Sequence, residues 1–307
     1  MNYEGFLTQV QKSVSDIIGE EGKVSISHVI KNNGVELDGL IIMMKDSNVS
    51  PTIYLNSYYD ENCTGRPFEG IVENIMEVYN ENKDKVTICA DFFMNFENIR
   101  DKIVYKVINY DQNKKLLQKV PHKMILDLAV VFYCLIEQGE LGNATALIYN
   151  THLQTWNIDV DAIYEIAMKN TPKLLQSNIK KMADIIKELF MQEQNISDTE
   201  SSDIFDKMNS DDISADMFVL TNISRINGAA CMLYENVLSN FANSIDSDLY
   251  ILPSSIHEVI IVPKVNNLDK TELCQMVKEV NAEGVADDEI LSDHVYVYNR
   301  TNHTITL

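Results

Sequence analysis

The sequence predicts an α+β protein of mixed antiparallel sheets and helices, with a C-terminal part in the ferredoxin-like order β-α-β-β-α-β. Three observations lead there. Hydrophobic residues make up 45% of the 307, which places the chain among globular proteins with a core to bury. Stretches with apolar residues at helical spacing alternate with shorter apolar runs of strand length. Turn signals such as Asn32-Asn33-Gly34 and Pro253-Ser254-Ser255 separate those short runs.

The first element is an amphipathic helix. Phe6, Leu7, Val10, Val14, Ile17 and Ile18 keep the 3.6-residue period, and Gly19 and Gly22 stop it. Val24–Ile30 and Val35–Met44 flank Asn32-Asn33-Gly34 as a hairpin, because Asn-Gly tolerates the positive φ of tight turns. Pro51–Leu55 reads as a third strand. Pro67–Tyr79 reads as a helix with Ile71, Val72, Ile75, Met76 and Tyr79 on one face. Lys102–Tyr110 alternates weakly, as a strand does. Met124–Ile136 is a buried strand or a buried helix, and periodicity leaves both open. Val160–Lys169 is a helix capped by Asp159, stapled by Ile158 and Ile163, and ended by Asn170-Thr171-Pro172. A further helix covers 178–192.

The C-terminal part begins with a strand at Met217–Leu220. A helix over Gly228–Ile245 follows, with Ala230, Leu233, Tyr234, Val237, Leu238, Phe241 and Ile245 inward. Leu249–Leu252 is a strand, and His257–Val262, apolar on both faces, is a central one. Lys270–Val280 is a helix, Val295–Tyr298 a strand, and Thr304–Thr306 one more. Tyr296 and Tyr298 share a face and are expected to pack across strands.

The formal charge is -21. Nucleic acid is therefore excluded as a partner, since phosphate binding needs clustered Lys and Arg. Anionic membrane surfaces are excluded for the same reason, and the longest apolar run is too short to span a bilayer, which takes roughly 20 residues. Met1-Asn2-Tyr3-Glu4-Gly5 has no feature of a signal peptide. Cys63, Cys89, Cys134, Cys231 and Cys274 have neither zinc nor thioredoxin spacing, so a reducing cytoplasm is expected. Residues 193–216 carry eight carboxylates against Lys207. They read as an acidic linker between an N-terminal region, 1–192, and a C-terminal region, 217–307. A basic run, Arg100, Lys102, Lys106, Lys114, Lys115, Lys119 and Lys123, reads as a solvated face or a dock for something acidic.

Three stretches carry a resemblance: Phe218-Val219-Leu220-Thr221-Asn222, Leu252–Val259, and Leu291–Tyr298. With Gly228-Ala229-Ala230, Met276–Asn281 and Trp156-Asn157-Ile158-Asp159, they resemble an uncharacterised bacterial family known only as a domain of unknown function. The resemblance implies a bacterial cytoplasmic protein. It implies no activity, so no functional residue is carried over.

No Gly-x-Gly-x-x-Gly and no Gly-Lys-Ser/Thr loop is present, so no nucleotide cofactor is expected. His257-Glu258 opens like a zinc-protease motif, but Ile261 stands where the second histidine belongs. The ferredoxin-like order, with strands 4-1-3-2, offers a better idea. The end of the first strand and the starts of the third and fourth meet at one sheet edge. That edge would gather Asn222, Ser254, Ser255, His257, Glu258, Asp293 and His294. The outer pairs would stand roughly 10 Å apart, two strand spacings, which would flank a small ligand. These groups are strand-end residues in solvent on one reading, and acid/base groups or metal ligands on the other. With no cofactor loop and no nucleophile–base pair, the expected function is a non-catalytic cytoplasmic protein-interaction or regulatory module. Its rival is an enzyme or small-ligand or metal binder at that edge.

Overall fold

The computed structural model describes residues 1–45, 47, 50–83, 93, 95–139, 142–194, 217–253, 255–264 and 269–307. The fold is α+β, and the described residues form three antiparallel sheets. The first 83 residues form a lobe with its own core. Strands β1 (Gly22–Ile30) and β2 (Glu36–Met44) pair from Gly22 opposite Met44 to Ile30 opposite Glu36, and β3 (Thr52–Tyr54) adds to β2. Asn33 and Gly34 take the positive φ that the turn demands, 58° and 72°. The helices Tyr3–Ile18 and Phe68–Asn82 close the lobe by burying Phe6, Val10, Val14, Ile71 and Ile75 against Leu40, Ile42 and Leu55.

The middle of the chain builds a four-stranded sheet. Strands β4 (Ile103–Asn109), β5 (His122–Ile125) and β7 (Gly142–Leu147) each pair with β6 (Leu128–Gly139). Met124–Ile136 is therefore strand on both sides of a two-residue turn at Leu126-Asp127, with Ile125 opposite Leu128. An unbroken apolar run is what a strand buried on both faces requires. The helix Val160–Leu174 lies across β4. Asp159 caps it by accepting the Ala162 N–H at 2.8 Å. The helix passes the expected stop at Asn170-Thr171-Pro172. The Thr171 hydroxyl donates to the Ala167 carbonyl at 2.6 Å and accepts the Tyr105 N–H at 3.1 Å, which pins the turn onto β4.

The last sheet has six strands in the order β13 (Thr304–Thr306), β12 (Tyr296–Asn299), β10 (Leu249–Leu252), β11 (Val259–Pro263), β9 (Phe218–Asn222) and β8 (Ser177–Lys181). For the four strands expected to be ferredoxin-like, this is 4-2-3-1 rather than 4-1-3-2. The fourth strand pairs with the second, not the first. Crossovers between same-direction strands are right-handed. With β12 beyond β10, that rule sends the second connecting helix to the other face. Accordingly the helix Lys270–Gly284 buries Leu273 and Val277 against Tyr250, Leu252 and Val262. The first connection packs with Leu220, Ile251, Ile261, Tyr296 and Tyr298 on the opposite face.

Two further expectations are corrected. Residues 177–181 are a strand on β9, and the helix starts only at Met182. Gly228–Ile245 is not one helix. A 3-10 turn covers Gly228–Leu233, Asn236 turns the chain with φ 64°, and an α-helix covers Val237–Ser244. The acidic stretch lies outside the described residues from 195 on. The regions on either side of it share one core, since Tyr105, Phe132 and Ile163 pack in the same cluster as Leu220, Ile251 and Tyr296. Within the basic run Lys114 pairs with Asp111 and Lys123 with Asp161, while burial lowers the Lys106 amine below its ordinary pKa and Asp288 pulls it back up.

Trp156, the only tryptophan, sits half-buried among aromatic rings. It stacks on His152 with centroids 5.4 Å apart and planes 26° apart, beside Phe93 and Phe96. Burial lowers the His152 pKa below 6.5. A protonated imidazole quenches a stacked indole. Tryptophan emission is therefore expected to fall on acidification with a midpoint below 6.5, and His152→Phe is expected to remove that step. A midpoint above 6.5, or a step that survives the substitution, would refute the assignment.

Candidate functional site

Strands β11 and β12 run in the same direction with β10 antiparallel between them. Their starts therefore share one end of the sheet, and β9, antiparallel to β11, ends there too. The residues at this end form two groups.

The first group surrounds His257. The Thr221 hydroxyl donates to the His257 carbonyl at 2.8 Å. Asn222, 1% exposed, ties the following loop. Its amide donates to the Ile226 carbonyl at 2.8 Å and its oxygen accepts the Ser224 N–H at 3.0 Å. Two non-glycine residues of that loop, Arg225 and Asn227, have positive φ of 53° and 54°, which asparagine adopts readily and an arginine only where the surroundings impose it. Here the Asn227 N–H donates to His257 Nδ1 at 3.2 Å. The imidazole is therefore the tautomer with its proton on Nε2, which faces Glu289 Oε1 at 3.4 Å. The Ser255 hydroxyl donates to Glu258 Oε1 at 3.1 Å and accepts the His257 N–H at 3.0 Å. A hollow of about 400 Å³ opens here. Arg225, Ser255, His257, Glu258 and Glu289 line its polar side, and Val280 and Val285 its apolar side.

The second group surrounds Asp127, in the β5–β6 turn. Leu126 before it has φ 56°, a real outlier for a bulky side chain. Asp127 Oδ2 accepts from Ser292 Oγ at 2.5 Å and from His294 Nδ1 at 3.0 Å, and Oδ1 accepts from the Tyr296 hydroxyl at 2.8 Å. Burial would raise the carboxyl, but these three hydrogen bonds together outweigh it and hold Asp127 below its ordinary 3.8. Burial above all pushes the Tyr296 hydroxyl well above its usual range, with Ser292 pulling it down and the Asp127 carboxylate adding to the rise. Asp293 accepts from the buried Asn281 amide at 2.9 Å.

The expected cluster is thus divided. Ser255, His257 and Glu258 share the hollow with Arg225 and Glu289, while across β10 His294 joins Asp127 and Asp293 is bound to Asn281. Ser254 lies outside the described residues. Among the described residues, no group of three His, Cys, Asp or Glu side chains could hold a metal ion. No described helix is long and apolar enough to cross a membrane. Sequence reading missed Arg225, Asn227, Glu289 and the role of Asp127. A carboxylate inside an apolar run was the available signal for Asp127 and its turn. Glu289 has no local signal at all.

No curated protein and no solved structure matches the chain. Residues 3–300, nearly the whole length and both groups described above, match a family profile, and the chain belongs to the Family of unknown function (DUF5688).

Proposed function

We propose that the chain is a non-catalytic protein-interaction module of the cytoplasm, which holds its partner at the sheet end where β9 stops and β11 starts. The observation that carries this reading is a polar hollow with exposed apolar side chains around it. Val280 lines the hollow and is 46% exposed, and Met276 stands one turn earlier on the same helix at 37%. Ile223, two residues before Arg225, is 61% exposed. Apolar side chains in water beside an arginine are what a protein interface buries. Glu258 and Glu289 suit a partner segment that inserts a basic side chain between apolar ones.

The hydrogen bonds oppose the rival, a catalytic centre. His257 gives its Nδ1 lone pair to the Asn227 N–H, and its Nε2 stands 3.4 Å from Glu289 Oε1. It keeps no free lone pair with which to take a proton. The Ser255 hydroxyl is engaged as both donor and acceptor in holding the turn. These groups build a surface.

Crosslinking in lysate of the native host tests the proposal. The full chain is expected to capture a protein with crosslinks near Lys278 on the helix beside the hollow. The double variant Arg225→Glu/Val280→Glu is expected to lose about tenfold or more of it, as interface anchors do. Ile17→Glu, at an exposed site on the first lobe, should capture as well as wild type. Equal capture by the double variant, crosslinks only at other faces, or no captured protein would sink the reading.

A further inference from the structure

We infer that the N-terminal lobe regulates this sheet end through a clasp between its hairpin tip and the loop that carries Glu289. The functional side of this inference rests on the interaction reading above, while the coupling itself stands on hydrogen bonds. The lobe has a separate core and reaches the body through Lys31, Asn32 and Asn33. Asn33 Nδ2 donates to the carbonyls of Asp287 and Ile290 at 2.8 and 2.7 Å. Its Oδ1 accepts from Asn113 at 2.8 Å, and its backbone N–H donates to Asn113 Oδ1 at 2.8 Å. Asn32 Nδ2 donates to the Asp288 carbonyl at 2.7 Å, and Lys31 faces the Asp288 carboxylate at 3.9 Å. From β4, Asn109 Nδ2 donates to the Leu291 carbonyl at 3.0 Å.

Four carbonyls of this loop, at 287, 288, 290 and 291, are thus held by asparagine amides. The one between them is held from the other side, where the Ile256 N–H donates to the Glu289 carbonyl at 2.9 Å. The Glu289 side chain meets His257, and His257 receives the Asn227 N–H. Asn227 closes the loop that displays Ile223 and Arg225. The chain of contacts runs from the hairpin tip through Glu289 and His257 to the surface that the partner is proposed to bind. Two sites joined in this way influence each other equally in both directions. A partner that orders the 223–227 loop therefore favours the docked lobe, and release of the lobe loosens the loop.

Amide hydrogen exchange on the full chain tests this without any partner. Asn33→Gly keeps the positive-φ turn and removes the amide that grips the loop. Exchange is expected to rise about tenfold or more at Ile256 and Asn227 as well as at residues 286–291, with β4–β6 amides unchanged. Lys31→Glu, which sets like charge against Asp288, is expected to act in the same direction. In reverse, Glu289→Gln is expected to speed exchange of the Asn33 amide. Wild-type exchange at Ile256 and Asn227 in both tip variants would overturn the coupling, whether or not the tip itself loosens. Capture of a partner by an uncoupled chain would leave the interaction reading standing. A coupled chain that captures nothing would leave only the clasp.

Discussion

Gly228→Ala is expected to lower the unfolding free energy by about 3 kcal/mol, the upper part of the range for overpacking a closed site. A Cβ built at this position would lie 2.2 Å from Thr221 Oγ1, 2.4 Å from the His257 carbonyl oxygen and 2.8 Å from the Asn222 nitrogen. The threonine hydroxyl can rotate away. The other two atoms are backbone, so no change of rotamer relieves them, and β9 and the start of β11 must part. The damage should fall on the hollow as well, because the same shift breaks the hydrogen bond from Thr221 to the His257 carbonyl. Gly70→Ala is the control. It lies inside the helix Phe68–Asn82, its added methyl meets nothing within 4 Å, and it should stabilise by about 0.5–1 kcal/mol. Urea midpoints of the two variants check this. A Gly228→Ala protein as stable as wild type would mean that the packing of the 3-10 turn against His257 is wrong.

Asp127→Ala is expected to lower stability by a similar amount, about 3 kcal/mol, for a different reason. The Tyr296 and Ser292 side chains are 0% and 1% exposed and both donate to this carboxylate. Each buried donor left without an acceptor costs about 1–3 kcal/mol. Asp127→Asn keeps one acceptor and should cost roughly half as much. The pH dependence separates charge from shape. Because the folded carboxyl is held below its ordinary 3.8, its stabilisation is complete above that value and is lost as pH falls through the folded value. The gap between wild type and Asp127→Asn should therefore close as pH falls below 3.8. A gap that widens in acid would show that Asp127 is not held as the anion. Stability curves of the three proteins across that range decide it.

Local features were legible where a residue's neighbours in sequence also decide its surroundings. The hairpin around Asn33-Gly34 formed where the turn residues required it. Asp159 caps its helix, and Leu249–Leu252 is a strand with the expected bounds. His257–Val262 was expected to be central, and β11 lies between β10 and β9. Where reading failed, a distant partner had overridden a local preference. Residues 177–181 have helical spacing but sit beside β9, whose free edge takes their backbone groups. Pro172 should stop a helix, yet the Thr171 hydroxyl, fastened to β4, carries the turn onward.

The candidate site shows the same division. The residue types at the end of the last sheet, and the short segment that brings Ser255, His257 and Glu258 to it, are written in consecutive residues. Their partners are not. Glu289 reaches His257 from 32 positions away, and Asp127 meets His294 across 167.

By itself the sequence determined the α+β class, the position of most helices and strands, and a net charge of -21. Each depends on side-chain period, turn chemistry or composition, which act within a few residues. Only the tertiary structure decided the strand order 4-2-3-1, the separate first lobe, the core shared across 193–216, and the splitting of the expected cluster between the hollow and the group around Asp127. Apolar strands of equal character can pair in several orders at little difference in local energy. The choice among them is made by which faces the connecting helices must cover, and that is settled between residues far apart in the chain.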